Sequence, residues 1–198
     1  MKSTDLSLGA RAAQFQALLA ACEFTDAAGA RLALEDGILR AIQILRSARE
    51  RDSSIYLIGN GGSAGVASHA TTDFANVAQL RAQTIHDASI LTCMANDYGY
   101  ENGFARILER LARKDDVLIA ISSSGKSPNI RNAADAARHN GGHVVTLSGF
   151  DHDNPLRSLG DLNIWLNSRD YGLVEVGHQF ILHNISDRFG HEAATARL

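Results

Sequence analysis

Two short runs in this 198-residue chain combine glycine with hydroxyl and amide side chains. One is Gly59-Asn60-Gly61-Gly62-Ser63, and the other is Ser122-Ser123-Ser124-Gly125-Lys126-Ser127. Glycine lets a backbone approach a ligand closely, and serine hydroxyls donate hydrogen bonds. A helix N-terminus adds free N–H groups and the positive end of a dipole, so a loop that opens a helix suits an anion, phosphate above all. In the second run Ser127 takes the N-cap position, Pro128 the first helical position, and Lys126 adds positive charge. Ser122, Ser123, Ser124 and Ser127 place four hydroxyls around one turn, which describes a cup for one phosphate monoester.

Two better-known phosphate patterns are near misses. Gly59-x-Gly61-x-x-Ala64 fits the relaxed dinucleotide fingerprint, which wants an acidic residue about 20 positions on. Asp73 comes too early and Asp87 rather late. Gly125-Lys126-Ser127 looks like the end of a triphosphate-binding loop, but the glycine that pattern needs is here Ala120, inside a strand.

The elements that must position these loops follow from hydrophobic period. Short apolar runs predict strands at 54–58, 82–86, 116–121, 143–147 and 162–166. Helical stretches separate them: one ending about Asn76, then 88–95, 101–113, 128–140 and 173–189. Such alternation means right-handed βαβ units and a parallel sheet covered on both faces. Both glycine-serine loops then lie beyond strand carboxyl ends, where open α/β sheets bind ligands. Residues 6–50 read as two helices, with Leu32, Leu34, Ile38, Ile42 and Leu45 at mostly three-to-four spacing. The expected break is near Glu23–Asp26, where Thr25 or Asp26 would cap the second helix.

Composition narrows the class. The chain is 45% apolar and 21% charged, as in ordinary globular proteins, with formal net charge −3 at pH 7. That balance argues against broad nucleic-acid binding. Two cysteines, Cys22 and Cys93, are too few for a disulfide framework and point to a reducing, cytoplasmic setting. No apolar window of about 20 residues suggests a membrane span. Met1 to Asp5 leads into an amphipathic stretch and does not read as a signal peptide.

Taken together, Gly59 to Ser63 with His69, then Asn96-Asp97-Tyr98-Gly99-Tyr100, then Ser122 through Ile130, resemble the sugar isomerase (SIS) fold. Within it the sequence is most similar to the phosphoheptose isomerases, from about residue 30 to 189. The resemblance implies a three-layer α/β fold with a five-stranded parallel sheet flanked by helices and an N-terminal helical hairpin. Residues 1–50 would be helices of the same domain, used in oligomer packing, and 51–198 the phosphosugar-binding part. It further implies a homotetramer with active sites at subunit interfaces. The implied reaction converts sedoheptulose 7-phosphate to D-glycero-D-manno-heptose 7-phosphate, toward the heptose of bacterial lipopolysaccharide or capsule. Asn60, Gly61, Gly62 and Ser63 would line the sugar, Asn96 and Asp97 would contact its hydroxyls, and the four serines would hold phosphate.

The family's zinc site, one per subunit, pairs a histidine and a glutamate four residues apart with a glutamine and a histidine eight apart. Those positions here are His69, Asp73, Glu175 and His183. Two carboxylates and two neutral imidazoles suit a divalent ion. His69 and Asp73, at i and i+4, share a helix face. Glu175 and His183 would be roughly 12 Å apart along a straight helix, so Glu175 is expected just before the helix, or the two act in different subunits. Family glutamate at position 73 would be both ligand and base. Aspartate is one methylene shorter, and a misplacement of about 1 Å can cost about a hundredfold in rate. The expected division is therefore Asp73 mainly as ligand, Glu175 as base and contact to the sugar, and His183 as acid or base partner. His178 is expected to pack. His86, His139, His143, His152 and His191 are expected at the surface or in loops, and Trp165 in the core or an interface. Two other functions fit the motifs: an isomerase of another phosphosugar, and a non-catalytic adaptor resembling the DnaA-binding regulator of replication initiation.

Overall fold

A computed structural model describes residues 5–195. Met1–Thr4 and residues 196–198, at the ends of the two expected segments, lie outside the described residues. In chain order the elements are α1 (Leu8–Ala20), β1 (Glu23–Asp26), β2 (Arg31–Leu32), α2 (Leu34–Glu50), β3 (Ser54–Ile58), α3 (Gly62–Asn76) and β4 (Arg81–Thr84). There follow α4 (Ala88–Tyr98), α5 (Gly103–Leu111), β5 (Val117–Ser122), α6 (Pro128–His139), β6 (His143–Ser148), β7 (Leu162–Trp165) and α7 (Tyr171–Thr195).

One sheet runs through the molecule in the order β2-β1-β7-β6-β5-β3-β4. The five strands from β7 to β4 are parallel, as their apolar runs predict. β5 is central, and all six of its residues are buried. Its side chains alternate between two cores, as strand geometry requires. Val117, Ile119 and Ile121 join residues of α2, α3 and α7 on one face. Leu118 and Ala120 join α5 and α6 on the other. This is the three-layer arrangement. Trp165 belongs to the interior, 3% exposed, and its indole N–H donates to the Gly149 carbonyl at 3.1 Å.

The N-terminal segment differs from expectation. Its two helices are joined by a β-hairpin, so the sheet has seven strands where five were expected. β1 pairs antiparallel with β7, and β2 with β1. Thr25 and Asp26 therefore lie in a strand and cap no helix; Ala33 precedes α2. Local chemistry accounts for the turn. The Asp26 carboxylate accepts the Ala28 and Ala30 N–H groups at 2.9 and 2.8 Å, and Gly29 takes φ +81°. Packing accounts for the strand. Phe24, fully buried and opposite Ile164, sits on Gly37 of α2, where any Cβ would strike its ring. No described helix is long and apolar enough to cross a membrane.

Candidate active site

Sheet topology selects the crevice. The helix after β3, α3, packs on one face of the sheet, and the helix after β5, α6, packs on the other. β3 and β5 are neighbours, so connections depart in opposite directions between them. Such a switch point leaves a cleft beyond the strand ends. The two glycine-serine loops form its sides.

In the first loop Gly61 has φ +54°, a conformation that favours glycine. A Cβ at Gly59 would lie 2.5 Å from the Ser63 carbonyl carbon, so the tight entry into α3 also needs glycine. Ser63 is buried. Asn60 is fixed by a reciprocal pair with Asn129: Nδ2 donates to the Asn129 Oδ1 at 2.9 Å, and Asn129 Nδ2 donates back at 2.8 Å. Tyr100 donates its hydroxyl to the same Asn60 Oδ1 at 2.9 Å. Both lone pairs of that oxygen are thus used, and Asn60 keeps one N–H to offer a ligand. Because Asn129 lies in the first turn of α6, this pair ties the first loop to the second.

The second loop has the form of a cup. Ser122 donates to Ser127 Oγ at 3.3 Å, and Ser124 Oγ accepts the Lys126 N–H at 3.2 Å. Ser127 is the N-cap residue but makes no side-chain cap bond, so the N–H groups of the first turn of α6 keep their capacity for an anion. Ser123, 4% exposed, has a buried hydroxyl without a hydrogen-bond partner. Gly125 has φ +63° and rests directly on the side chain of Asn154.

A third group of residues comes from α3 and α7. His69 and Asp73 share one face of α3, as their spacing predicts, and His183 reaches them from α7. Asp73 Oδ2 is 2.9 Å from His183 Nδ1 and 3.6 Å from His69 Nε2, and the two Nε2 atoms are 3.1 Å apart. One donor atom from each lies within 4.8 Å of the others. Asp73 Oδ2 is buried and makes no aligned hydrogen bond. Two imidazoles and a carboxylate whose buried oxygen makes no aligned hydrogen bond fit a divalent ion such as zinc. Glu175 stands outside this cluster. It lies within α7, not before it, and its carboxylate packs on Gly62, where a Cβ would collide with it. The four positions of the family's zinc pattern thus divide into a cluster of three and a carboxylate at the glycine loop.

The remaining positions are dispersed. Asn96 and Asp97 are exposed near the end of α4, with Asn96 donating to Asp97 at 2.9 Å. His178 is fully buried, as expected of a packing residue; its Nε2 is 3.1 Å from the Ser148 carbonyl, and burial pushes its pKa down to about 4. His86 departs from a plain surface role. It is half-buried, its Nε2 is 2.9 Å from Ser68 Oγ, and burial lowers its pKa. His152 packs edge-on against Trp165. Sequence reasoning missed Asn129 and Asn154 as supports of the two loops: Asn129 lies within the quoted run from Ser122 to Ile130 but nothing local pointed it at Asn60, and Asn154 belongs to no motif. Tyr100 was within a quoted motif, but nothing local pointed it at Asn60.

The SIS domain family model matches residues 26–149. A phosphoheptose isomerase of Pelobacter propionicus is 35% identical over 153 residues, which span 74% of this chain and 80% of that one. The chain belongs to the phosphoheptose isomerase family of SIS-domain proteins. Solved structures agree with that membership. A phosphoheptose isomerase from Francisella tularensis superposes with a TM-score of 0.80 at 25% identity, covering 92% of this chain and 94% of that one. The phosphoheptose isomerase from Neisseria gonorrhoeae gives 0.73 at 28% identity, with coverages of 78% and 86%. The family resemblance and the three-layer α/β class both stand.

Proposed function

We propose that this phosphoheptose isomerase family member interconverts sedoheptulose 7-phosphate and D-glycero-D-manno-heptose 7-phosphate, for the heptose of lipopolysaccharide or capsule. One observation carries the reading: a serine cup, a donor-only asparagine and a carboxylate on glycine converge at the switch point, with a His-Asp-His cluster on the adjoining helices. Aldose–ketose isomerisation moves a proton between neighbouring carbons through an enediol. It needs a base, a proton path between two oxygens, and stabilisation of developing negative charge.

This chain's residues divide those tasks as follows. Ser122, Ser123, Ser124 and Ser127, with the first turn of α6, bind phosphate. Gly61, Gly62 and Ser63 line the sugar, and the free N–H of Asn60 donates to a sugar oxygen. Asn96 and Asp97 contact hydroxyls. Glu175, set on Gly62, takes the proton, and His183 carries protons between the oxygens. Asp73 is engaged with both histidines and serves the cluster. A divalent ion, zinc in the family pattern, held by His69, Asp73 and His183 would supply Lewis acidity toward the sugar oxygens. Glu175 then completes the ligand set only by leaving Gly62.

His69 and His183 have side chains 57% and 40% exposed, and α4 buries no residue. So open a site supports a homotetramer whose active sites are closed by neighbouring subunits. Residues 1–50 and 51–198 are best taken as one domain, because β1 of the first segment pairs with β7 of the second. We place the protein in the cytoplasm, where its two unpaired cysteines stay reduced.

The test is an NMR assay of zinc-loaded protein with sedoheptulose 7-phosphate in D₂O, beside a chelated sample. Aldoheptose 7-phosphate forming only with metal is the expected result. No turnover with metal bound would overturn the heptose assignment. Turnover of another phosphosugar would then favour the broader isomerase, and none at all a binding protein. An adaptor has no need of the His-Asp-His cluster.

A further inference from the structure

The rim of the serine cup carries a charge arrangement that the reaction as described does not use. Lys126, the residue before Ser127, donates through Nζ to Asp151 Oδ2 at 2.8 Å. Arg169 donates through Nη2 to the other oxygen of the same carboxylate. One anion is therefore shared between two cations. Asp151 is the more sheltered partner, its side chain 23% exposed against 62% for Lys126.

Its place is fixed by the loop after β6, which is bonded to the cup. The Gly149 N–H donates to the Ser123 carbonyl at 2.9 Å, and the Leu156 N–H to the Gly125 carbonyl at 3.2 Å. Asn154, 3% exposed, donates from Nδ2 to the Asp151 carbonyl at 2.9 Å while resting on Gly125. The Phe150 N–H reaches Ser168 at 2.9 Å, which sets the neighbouring Arg169 beside the same loop. Asp151 is thus tied to the cup. Its hydrogen bond from Lys126, with help from Arg169, holds its carboxyl below the usual carboxylate range, so it remains an anion near neutral pH.

We infer that Asp151 sets the phosphate affinity of the cup by sharing its carboxylate between Lys126 and Arg169. This rests on the reading of residues 122–127 as a phosphate cup. Two unopposed cations at the rim would hold a phosphate dianion tightly. With Asp151 between them the rim carries net charge +1, enough to attract the anion and less able to retain it. Asp151 is an affinity-setting residue that acts through its neighbours, not a group that touches the phosphate.

The sign of two substitutions separates this role from a structural brace. The full-length protein is titrated with inorganic phosphate, and the dissociation constant is read for wild type, Lys126→Met and Asp151→Asn. For exposed charges a few ångströms apart the expected change is about fivefold. Lys126→Met weakens phosphate binding, and Asp151→Asn tightens it. Both effects shrink toward wild type at about 1 M salt, where the screening length falls to about 3 Å. Weaker or unchanged binding in Asp151→Asn overturns the inference, because loss of a brace can only loosen the cup. So does an unchanged Lys126→Met. Thermal melting of each variant checks the fold, and Asp151→Ser repeats the sign test should Asp151→Asn melt early. Wild type that binds no phosphate overturns the cup reading and the tuned rim together. Wild type that binds, with both variants unaltered, overturns the rim alone.

Discussion

At the scale of single residues, the proposed chemistry is divided between two carboxylates that differ by one methylene. Asp73 has a buried oxygen at 2.9 Å from His183 Nδ1, whereas Glu175 lies on Gly62 beside the sugar-lining loop. Asp73→Asn should therefore lower metal affinity by at least about 10- to 100-fold, the range for losing even a group that only orients a ligand, as read by metal titration. Glu175→Gln should keep the metal and lose turnover by at least a hundredfold, as expected for removal of a general base. If Glu175→Gln retained full turnover while Asp73→Asn abolished it with metal still bound, the division would be reversed. Tyr100→Phe is a gentler probe. It returns one lone pair to Asn60 Oδ1 and lets the amide reorient, so KM should rise about three- to tenfold for loss of one positioning hydrogen bond. Motif residues were legible in the sequence because backbone-bound loops need glycine and serine at set spacings. Asn129 was not, since its function depends on a partner 69 positions away.

At the scale of elements, the parallel strands and the helices between them were mostly legible because they are continuous apolar or amphipathic runs; β4, the edge strand Arg81-Ala82-Gln83-Thr84 with no buried residue, is the exception. β1 and β2 were not. Glu23-Phe24-Thr25-Asp26 is four residues long and sits in a window rich in alanine, leucine and arginine, where local preference favours helix. What makes it a strand is the open edge of β7, which lies in sequence far beyond it. The Asp26 turn and Gly29 were signals in retrospect. Phe24→Ala should destabilise the fold by about 3–5 kcal/mol, the usual range for a buried phenylalanine. Denaturant unfolding measures this. Inorganic phosphate binding should survive, because the cup lies on β5 and α6. A loss below 1 kcal/mol would mean that the hairpin is held by its turn and not by its buried ring.

At the scale of the whole molecule, stability should depend on pH through His178. It is fully buried between α7 and β6, and burial lowers its pKa from 6.5 to about 4. The unfolded chain binds this proton more readily than the folded one. Stability is therefore fully present above pH 6.5 and declines as pH falls toward 4, with a limiting slope of about 1.4 kcal/mol per pH unit for one proton. Denaturation midpoints at pH 7 and 5 should differ in that sense, and His178→Phe should flatten the difference. A midpoint that rises on acidification would contradict the buried neutral imidazole.

The contact between His69 and His183 spans 114 positions of sequence. During synthesis the cup and both residues on α3 leave the ribosome long before α7 does. A nascent chain therefore carries two of the three donors, on one face of α3, before it carries the third. An ion held by all three residues would have to await the docking of α7, so its capture would report that docking.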